Sequence, residues 1–297
     1  MVDFIKYRKI YFILSGIILF SFIISLSLFS LKPGIDLVGG SILEIEYERE
    51  RPQLQEIRKK LENLNLGEFY LQNSGEKGVI IRMGEIKEKT HQKILDTLGR
   101  ENFKEKKFEL VGGIVGKELR NKAKWIIVLT LFLISFYIIF AFREISKIIK
   151  PWQYTLSVIF CLLHDILIPL GIFSLLGKFF DIQITIPIIV ALLTILGYDI
   201  NNIIVVFDRV RENLKKKRNL ELEKNLNFSV NQTLGRQINT SLTTLFPLIF
   251  IYLFSTETLK YFSLTLIIGI SVGLYSSIFL ASSILYSLTK NRQLIKT

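Results

Sequence analysis

Cysteine is all but missing from this chain. Cys161 is the only one in 297 residues, so no internal disulfide staples it. It lies in an apolar run and says nothing further about redox compartment. Also missing is a small-x-small cleavage site after the first apolar run, Ile10 to Leu31. That run exceeds the roughly 7–15 residues of a signal-peptide core. Preceded by Lys6, Arg8 and Lys9, it reads as an uncleaved transmembrane helix. The Gly-x-Gly-Asp motif of intramembrane aspartyl proteases is absent as well. Asp165 and Asp199 would form such a dyad only if they lay close enough to share a proton.

Apolar residues and charge are both plentiful. Half the chain is hydrophobic and 22% is charged, with a formal net charge of +12 and a mean hydropathy of +0.40. Such values coexist only if the two are segregated along the chain, as in a membrane protein with soluble parts. Six runs are long enough to cross ~30 Å of hydrocarbon at ~1.5 Å per residue. They lie near 10–31, 124–142, 154–176, 184–207, 235–254 and 261–288. In the fifth, the purely apolar part, Leu242 to Phe254, is too short to span alone. It must recruit the polar turns upstream, bringing Arg236, Asn239, Thr240 and Ser241 to the membrane or its edge. Thr240, Thr243, Thr244 and Pro247 then share a helical face.

Charge sets the orientation. Lys6, Arg8 and Lys9, then Arg143, Lys147 and Lys150, then Arg209, Arg211, Lys215, Lys216, Lys217, Arg218 and Lys224, then Lys290, Arg292 and Lys296 fall on one side if six helices alternate. The opposite short loops hold Lys178 and Asp181, then Glu257 and Lys260. The positive-inside rule therefore predicts cytoplasmic termini. The domain reading is 1–31 for the amino terminus and first helix, 32–123 for an extracytoplasmic domain, 124–288 for helices two to six, and 289–297 for a cytoplasmic tail. A basic loop, 208–234, lies within the helical part. It reads as a topology determinant rather than a nucleic-acid or anionic-lipid patch.

The segment 32–123 shows no metal cluster and no nucleophile constellation. Ser41 to Tyr47 alternates at period two, as a half-buried strand should. Leu54, Ile57, Leu61 and Leu64 recur at helical spacing. Phe69–Leu71 and Val79–Ile81 flank a hairpin signal over Asn73–Gly78. His91, Ile94, Leu95 and Leu98 predict a second helix, and Lys107–Val111 a last strand. The order fits an α+β, ferredoxin-like arrangement, a binding or coupling module.

The chemistry-bearing residues lie in the membrane runs. A carboxylate at bilayer depth costs roughly 2.5–3.5 kcal/mol on insertion scales. Asp199 sits in such a run with Asn201 and Asn202; Asp199 and Asn202 share a face, and Asn201 points elsewhere. Arg236, at the start of helix five, is its expected partner. An opposed arginine favours the charged carboxyl and desolvation the neutral one, and a site balanced between them loads and releases protons as helices move. The alternative is a buried ion pair that only fixes packing. Asn201 and Asn202 read as interhelical hydrogen-bonding groups. Asp165 is expected near the cytoplasmic end of helix three, paired with Arg143 or Lys147 or partly solvated, and His164 reads as a packing residue. Asp208 and Arg209 read as a surface salt bridge. Gly269, Gly273, Ser277 and Ala281 form a small-residue stripe that lets another helix approach closely, a packing signal without chemistry.

Five segments together resemble the SecF family of bacterial protein-export membrane subunits, within the RND transporter superfamily. They are Gly34-Ile35-Asp36-Leu37-Val38-Gly39-Gly40, Val111 to Leu119, His164 to Ile172, Gly197 to Asn213, and Gln232 to Arg236 with Thr240-Ser241-Leu242-Thr243-Thr244. The resemblance covers nearly the whole chain. It implies half of an RND-type bundle, six transmembrane helices with one extracytoplasmic domain, in the bacterial inner membrane. It implies SecD as partner, the SecYEG channel, a translocating unfolded polypeptide and membrane lipid as surroundings, no nucleic acid, and protons as coupling ion with no cofactor or metal. Asp36, Gly39, Gly40, Gly197, Asn201, Asp208, Arg209, Thr240 and Ser241 match its motifs. In the family the helix-four motif usually reads Gly-Tyr-Ser-(Ile/Leu)-Asn-Asp, the final Asp transporting protons beside the helix-five Arg. Here that Asp position is Asn202, the Ser position is Asp199, and Arg236 is retained. Either Asp199 replaces the displaced carboxylate, or this subunit relies on its partner's proton site. Asp199, Arg236, Asn202 and Asp165 are the expected relay residues. A small-molecule or lipid exporter subunit of the same superfamily is the alternative function; such proteins usually carry both six-helix halves in one chain.

Overall fold

The computed structural model describes residues 2–143, 149–216 and 221–295. Lys147, Lys217, Arg218 and Lys296, counted above among the basic residues, lie outside it, as do the side chains of Glu257 and Arg292. The chain divides into two units: 1–30, 126–175 and 187–297 form the first, and 31–125 with 176–186 the second.

The second unit holds a four-stranded antiparallel sheet. Its strands are β1 (Gly40–Tyr47), β2 (Phe69–Ser74), β3 (Gly78–Met83) and β4 (Phe103–Val111), in the spatial order β2-β3-β1-β4. Helices α3 (Leu54–Glu62) and α4 (Glu88–Leu98) follow β1 and β3. This is the split βαβ, ferredoxin-like order. The alternation along β1 puts Leu43, Ile45 and Tyr47 on the buried face. Leu43 pairs with Ile81, and Ile45 with Val79. Ile57 and Leu61 of α3, with Ile94, Leu95 and Leu98 of α4, close the core over them. His91 is buried too, stacked on Phe108 with ring centroids 3.9 Å apart. Strand β4 begins four residues before the expected Lys107. Its outer half, Lys104 to Lys106, is charged and exposed, which an edge strand tolerates.

Among the described residues, six helices are long and apolar enough to cross a membrane. They are α1 (Arg8–Phe29), α5 (Gly113–Ala141), α6 (Pro151–Phe180), α7 (Ile186–Lys216), α8 (Leu222–Phe254) and a last span built of α9 (Glu257–Tyr275), a π-helical turn (Ser276–Leu280) and α10 (Ala281–Ile295). A short helix, α2 (Ile35–Val38), follows α1. The fifth span recruits more polar chain than its apolar core suggests, starting at Leu222. In the first unit α6, α7 and the last span form the buried centre. Tyr154, Phe142 and Phe207 pack there with ring centroids 4.6 to 6.3 Å apart. The outward faces of α1 and α5 present Phe20, Trp125, Phe132 and Phe136, surface suited to lipid.

Candidate functional site

Along α7 the positions Ile195, Asp199, Asn202, Val206 and Val210 recur at helical spacing and are all buried. The inward face of this helix therefore carries a carboxyl and an amide among branched aliphatics. Asn201 and Gly197 lie on the exposed side. The pairing of Asp199 with Asn202 on one face, and the divergence of Asn201, are as the spacing implies.

Asp199 does not meet Arg236. Among the described residues its two oxygens find no hydrogen-bond donor, and no ion pair joins it to the arginine. Its carboxyl instead lies within hydrogen-bonding reach of the carboxyl of Asp165 on α6. It also packs directly against the Cα of Gly273 on α9, where an added Cβ would collide with it. Arg236 is exposed. It lines a cavity of about 370 Å³ with Asp208, Arg209, Glu212 and Gln232. The reason is a rotation of one residue, about 100° around α8. The inward position is Gln237, whose Nε2 donates to the Asn202 carbonyl at 3.3 Å and whose Oε1 accepts from Ser277 Oγ at 3.0 Å.

Asp165 also departs from expectation. It sits at the middle of α6, about 21 Å from the helix start at ~1.5 Å per residue, and is fully buried. Arg143 lies over the Phe140 ring instead, 4.3 Å from its centroid. The Asp165 partners are His164 Nδ1, 2.8 Å from Oδ1, and Ser276 Oγ, which donates to Oδ2 at 2.5 Å. Ser276 opens the π-helical turn, a distortion frequent at functional sites. The centre is thus two carboxyls with His164, Ser276 and Gly273 around them. Two carboxyls hydrogen-bond to each other only through a proton, and here no cation among the described residues takes its place.

The sequence pattern did not single out Gln237, Ser276 or the contact role of Gly273. The Gly269–Ala281 stripe is more than packing: Gly269 abuts Ile195, Gly273 receives Asp199, and Ser277 holds Gln237. An aspartyl hydrolase needs both carboxyls open to a peptide and a water. Both carboxyls are fully enclosed, which leaves no room for a peptide and water at their oxygens.

The remaining motif residues build supports. Asp208 pairs with Arg211 at 2.8 Å rather than with Arg209. Arg209 binds Glu212 at 2.5 Å and Gln232 at 2.6 Å. Buried Ser241 accepts from the Tyr198 hydroxyl at 3.3 Å, whereas Thr240 is exposed and donates to the Arg236 carbonyl. In the second unit the Asp36 carboxylate accepts from the backbone N–H of Ile186 at 3.2 Å, capping the first turn of α7. Gly39, at φ 86°, lies against Gly113, and Gly116 against Val38 and Gly39; Gly40 lies against the Met83 carbonyl. The two glycine-containing motifs that flank the sheet domain thus pack on each other, at a backbone angle that a side chain would strain.

Comparison with known proteins agrees with this architecture. Residues 90–291 match the family model described as protein export membrane protein SecD/SecF, C-terminal. A protein translocase subunit SecF from Thermobaculum terrenum is 38% identical over 97% of this chain and 94% of its own length. One from Calditerrivibrio nitroreducens is 34% identical over 98% and 95%. The crystal structure of SecDF, a translocon-associated membrane protein from Thermus thermophilus, superposes with a TM-score of 0.86 at 29% identity. It covers 97% of this chain, which spans 39% of that longer one. With matches of this breadth, the chain belongs to the SecD/SecF family of protein export membrane proteins, alongside the translocase subunits SecF.

Proposed function

We propose that this chain is the SecF-type half of a proton-coupled export complex. With a SecD-type partner it uses the proton gradient to assist late steps of polypeptide export from the SecYEG channel, with both termini in the cytoplasm and lipid around its outer helices. The observation that carries the reading is the Asp165–Asp199 pair: two enclosed carboxyls at membrane depth with no arginine or lysine among the described residues beside them. A purely structural role is served as well by amides, which need no proton to hydrogen-bond. In this reading Asp199 takes over from the family carboxylate that Asn202 displaces, and the proton rests between Asp199 and Asp165. The exposed stripe of α7 and α8, with Gly197, Asn201, Arg236 and Thr240, is the face for the partner half. An exporter of small molecules or lipids is disfavoured by the translocase subunits among the relatives.

The test is proton flux and preprotein export in proteoliposomes containing the chain, its SecD partner and the channel. Asp199→Asn and Asp165→Asn should each abolish flux driven by an imposed gradient and slow the late phase of export. Coupling at the wild-type rate in both would remove the pair from the mechanism.

A further inference from the structure

Beside the carboxyl pair lies a group that a proton store alone does not require. His164 is buried and holds Asp165 through Nδ1 at 2.8 Å, while its Nε2 finds no hydrogen-bond partner among the described residues. A packing imidazole normally satisfies both nitrogens, because a buried orphan costs about 1–3 kcal/mol. The orphan nitrogen belongs to a residue lining a groove of about 310 Å³, walled by Leu14 and Ile18 of α1, Ile168 of α6, and Val272 and Tyr275 of α9. Across it the Tyr275 ring stands 6.4 Å from the imidazole, centre to centre. The Tyr275 hydroxyl is 3.0 Å from Ser15 Oγ and donates to the Tyr11 carbonyl at 3.4 Å. Tyr11 and Ser15 are one turn apart in the first half of α1, on the side of its basic amino terminus. From Asp199 the polar groups therefore run Asp165, His164, Tyr275, Ser15, across four helices.

We propose that His164 is a proton-relay residue, connecting the Asp165–Asp199 pair to the Tyr275–Ser15 hydroxyls between α1 and α9. The inference rests on the proton-coupled reading above and adds a route to it. In the step toward the pair, a proton binds Nε2 of the neutral imidazole. The Nδ1 proton then passes to the Asp165 carboxylate, and the ring is left neutral with its hydrogen on Nε2. In the step away from the pair, Nδ1 takes a proton from the Asp165 carboxyl and Nε2 releases its own toward Tyr275. The number of protons is conserved in each direction and no redox partner is needed. The gap between the imidazole and Tyr275 is too wide for direct transfer at the ring-centre spacing, and the groove has the volume for a bridging water.

The experiment is proton flux in proteoliposomes of the full chain with its SecD partner, with Asp199→Asn run in parallel. His164→Gln keeps hydrogen-bonding capacity but does not titrate, and should lower flux at least tenfold. Tyr275→Phe keeps the ring and should lower flux several-fold. His164→Ala should recover flux as imidazole is added, which a purely structural histidine would not do. Wild-type flux in His164→Gln while Asp199→Asn is inactive overturns the relay and leaves the carboxyl pair standing. Loss in His164→Gln with no imidazole rescue of His164→Ala and no effect of Tyr275→Phe also overturns it, assigning His164 to structure. Wild-type flux in Asp199→Asn removes Asp199 from the mechanism, and the relay toward the pair with it.

Discussion

The contact between Gly273 and Asp199 offers a test in which packing and chemistry separate. A Cβ at Gly273 would overlap the Asp199 carboxyl, and one at Gly269 would overlap the side chain of Ile195 one turn away on the same two helices. An added methyl in a packed interface costs about 1–3 kcal/mol. Alanine is better than glycine in a helix by about 0.5–1 kcal/mol, which offsets part of that. Both Gly269→Ala and Gly273→Ala should therefore destabilise the chain by a net of up to about 2.5 kcal/mol, read as similar falls in the thermal unfolding midpoint in detergent. Their effects on flux should differ. Ile195 can repack among aliphatic neighbours, whereas Asp199 has a short side chain, is fully buried, and must turn away from Asp165 to admit the methyl. Gly273→Ala should therefore lose proton flux to the level of Asp199→Asn, while Gly269→Ala retains most of it. Gly197, whose Cβ would meet nothing within 4 Å, supplies the stability control: Gly197→Ala should unfold at or above the wild-type temperature. Full flux in Gly273→Ala would refute the placement of Asp199 against α9, and so the carboxyl pair itself.

Three further expectations concern the supports of the site. Asp36→Ala removes the acceptor for the Ile186 N–H and should cost about 0.5–2 kcal/mol; faster hydrogen exchange confined to the first turn of α7 would show it, and Asp36→Asn should lose less. Leu43 is fully buried in the sheet domain, so Leu43→Ala should cost about 2–5 kcal/mol, seen as protease cleavage within 32–123 under conditions where the wild type is resistant. The hydrogen bond from Gln92, with His91 nearby, holds the Glu88 carboxyl below the usual carboxylate range. A carboxyl lowered on folding stabilises above its ordinary pKa and loses that contribution as the pH falls through the folded value. Gln92→Ala should raise the Glu88 titration midpoint observed by NMR and flatten this acid-side slope.

The sheet domain was legible because its core obeys two simple periods. Leu43, Ile45 and Tyr47 alternate, and Ile57 with Leu61 and Ile94 with Leu98 recur at helical spacing, so burial could be read from order alone. The membrane spans were legible for the same reason, since a run of apolar residues has to be buried in something. The outer part of β4 escaped, because an edge strand with one row of charges shows no alternation. The site was harder, and the difficulty has a physical source. Depth follows from composition, which put Asp165, Asp199 and Arg236 in or beside the membrane. Rotation about the helix axis follows from packing, and α8 is polar on both faces over 236–244, so no apolar stripe says whether Arg236 or Gln237 turns inward.

What settles rotation in such a bundle is where backbones approach most closely, and that is dictated by the smallest residues rather than by the ionisable ones. Gly269 and Gly273 bring α9 onto α7, and the space left above Gly273 is the space that Asp199 fills. Ser276, one turn on, then reaches Asp165 at 2.5 Å. A stripe of small residues, read as packing without chemistry, is therefore part of how the two carboxyls come to share one position. The glycine wall on α9 is what turns Asp199 toward that helix. In a helix bundle of this kind, the residue opposite an intramembrane carboxylate is better sought among the glycines it can lie against than among the cations it might attract.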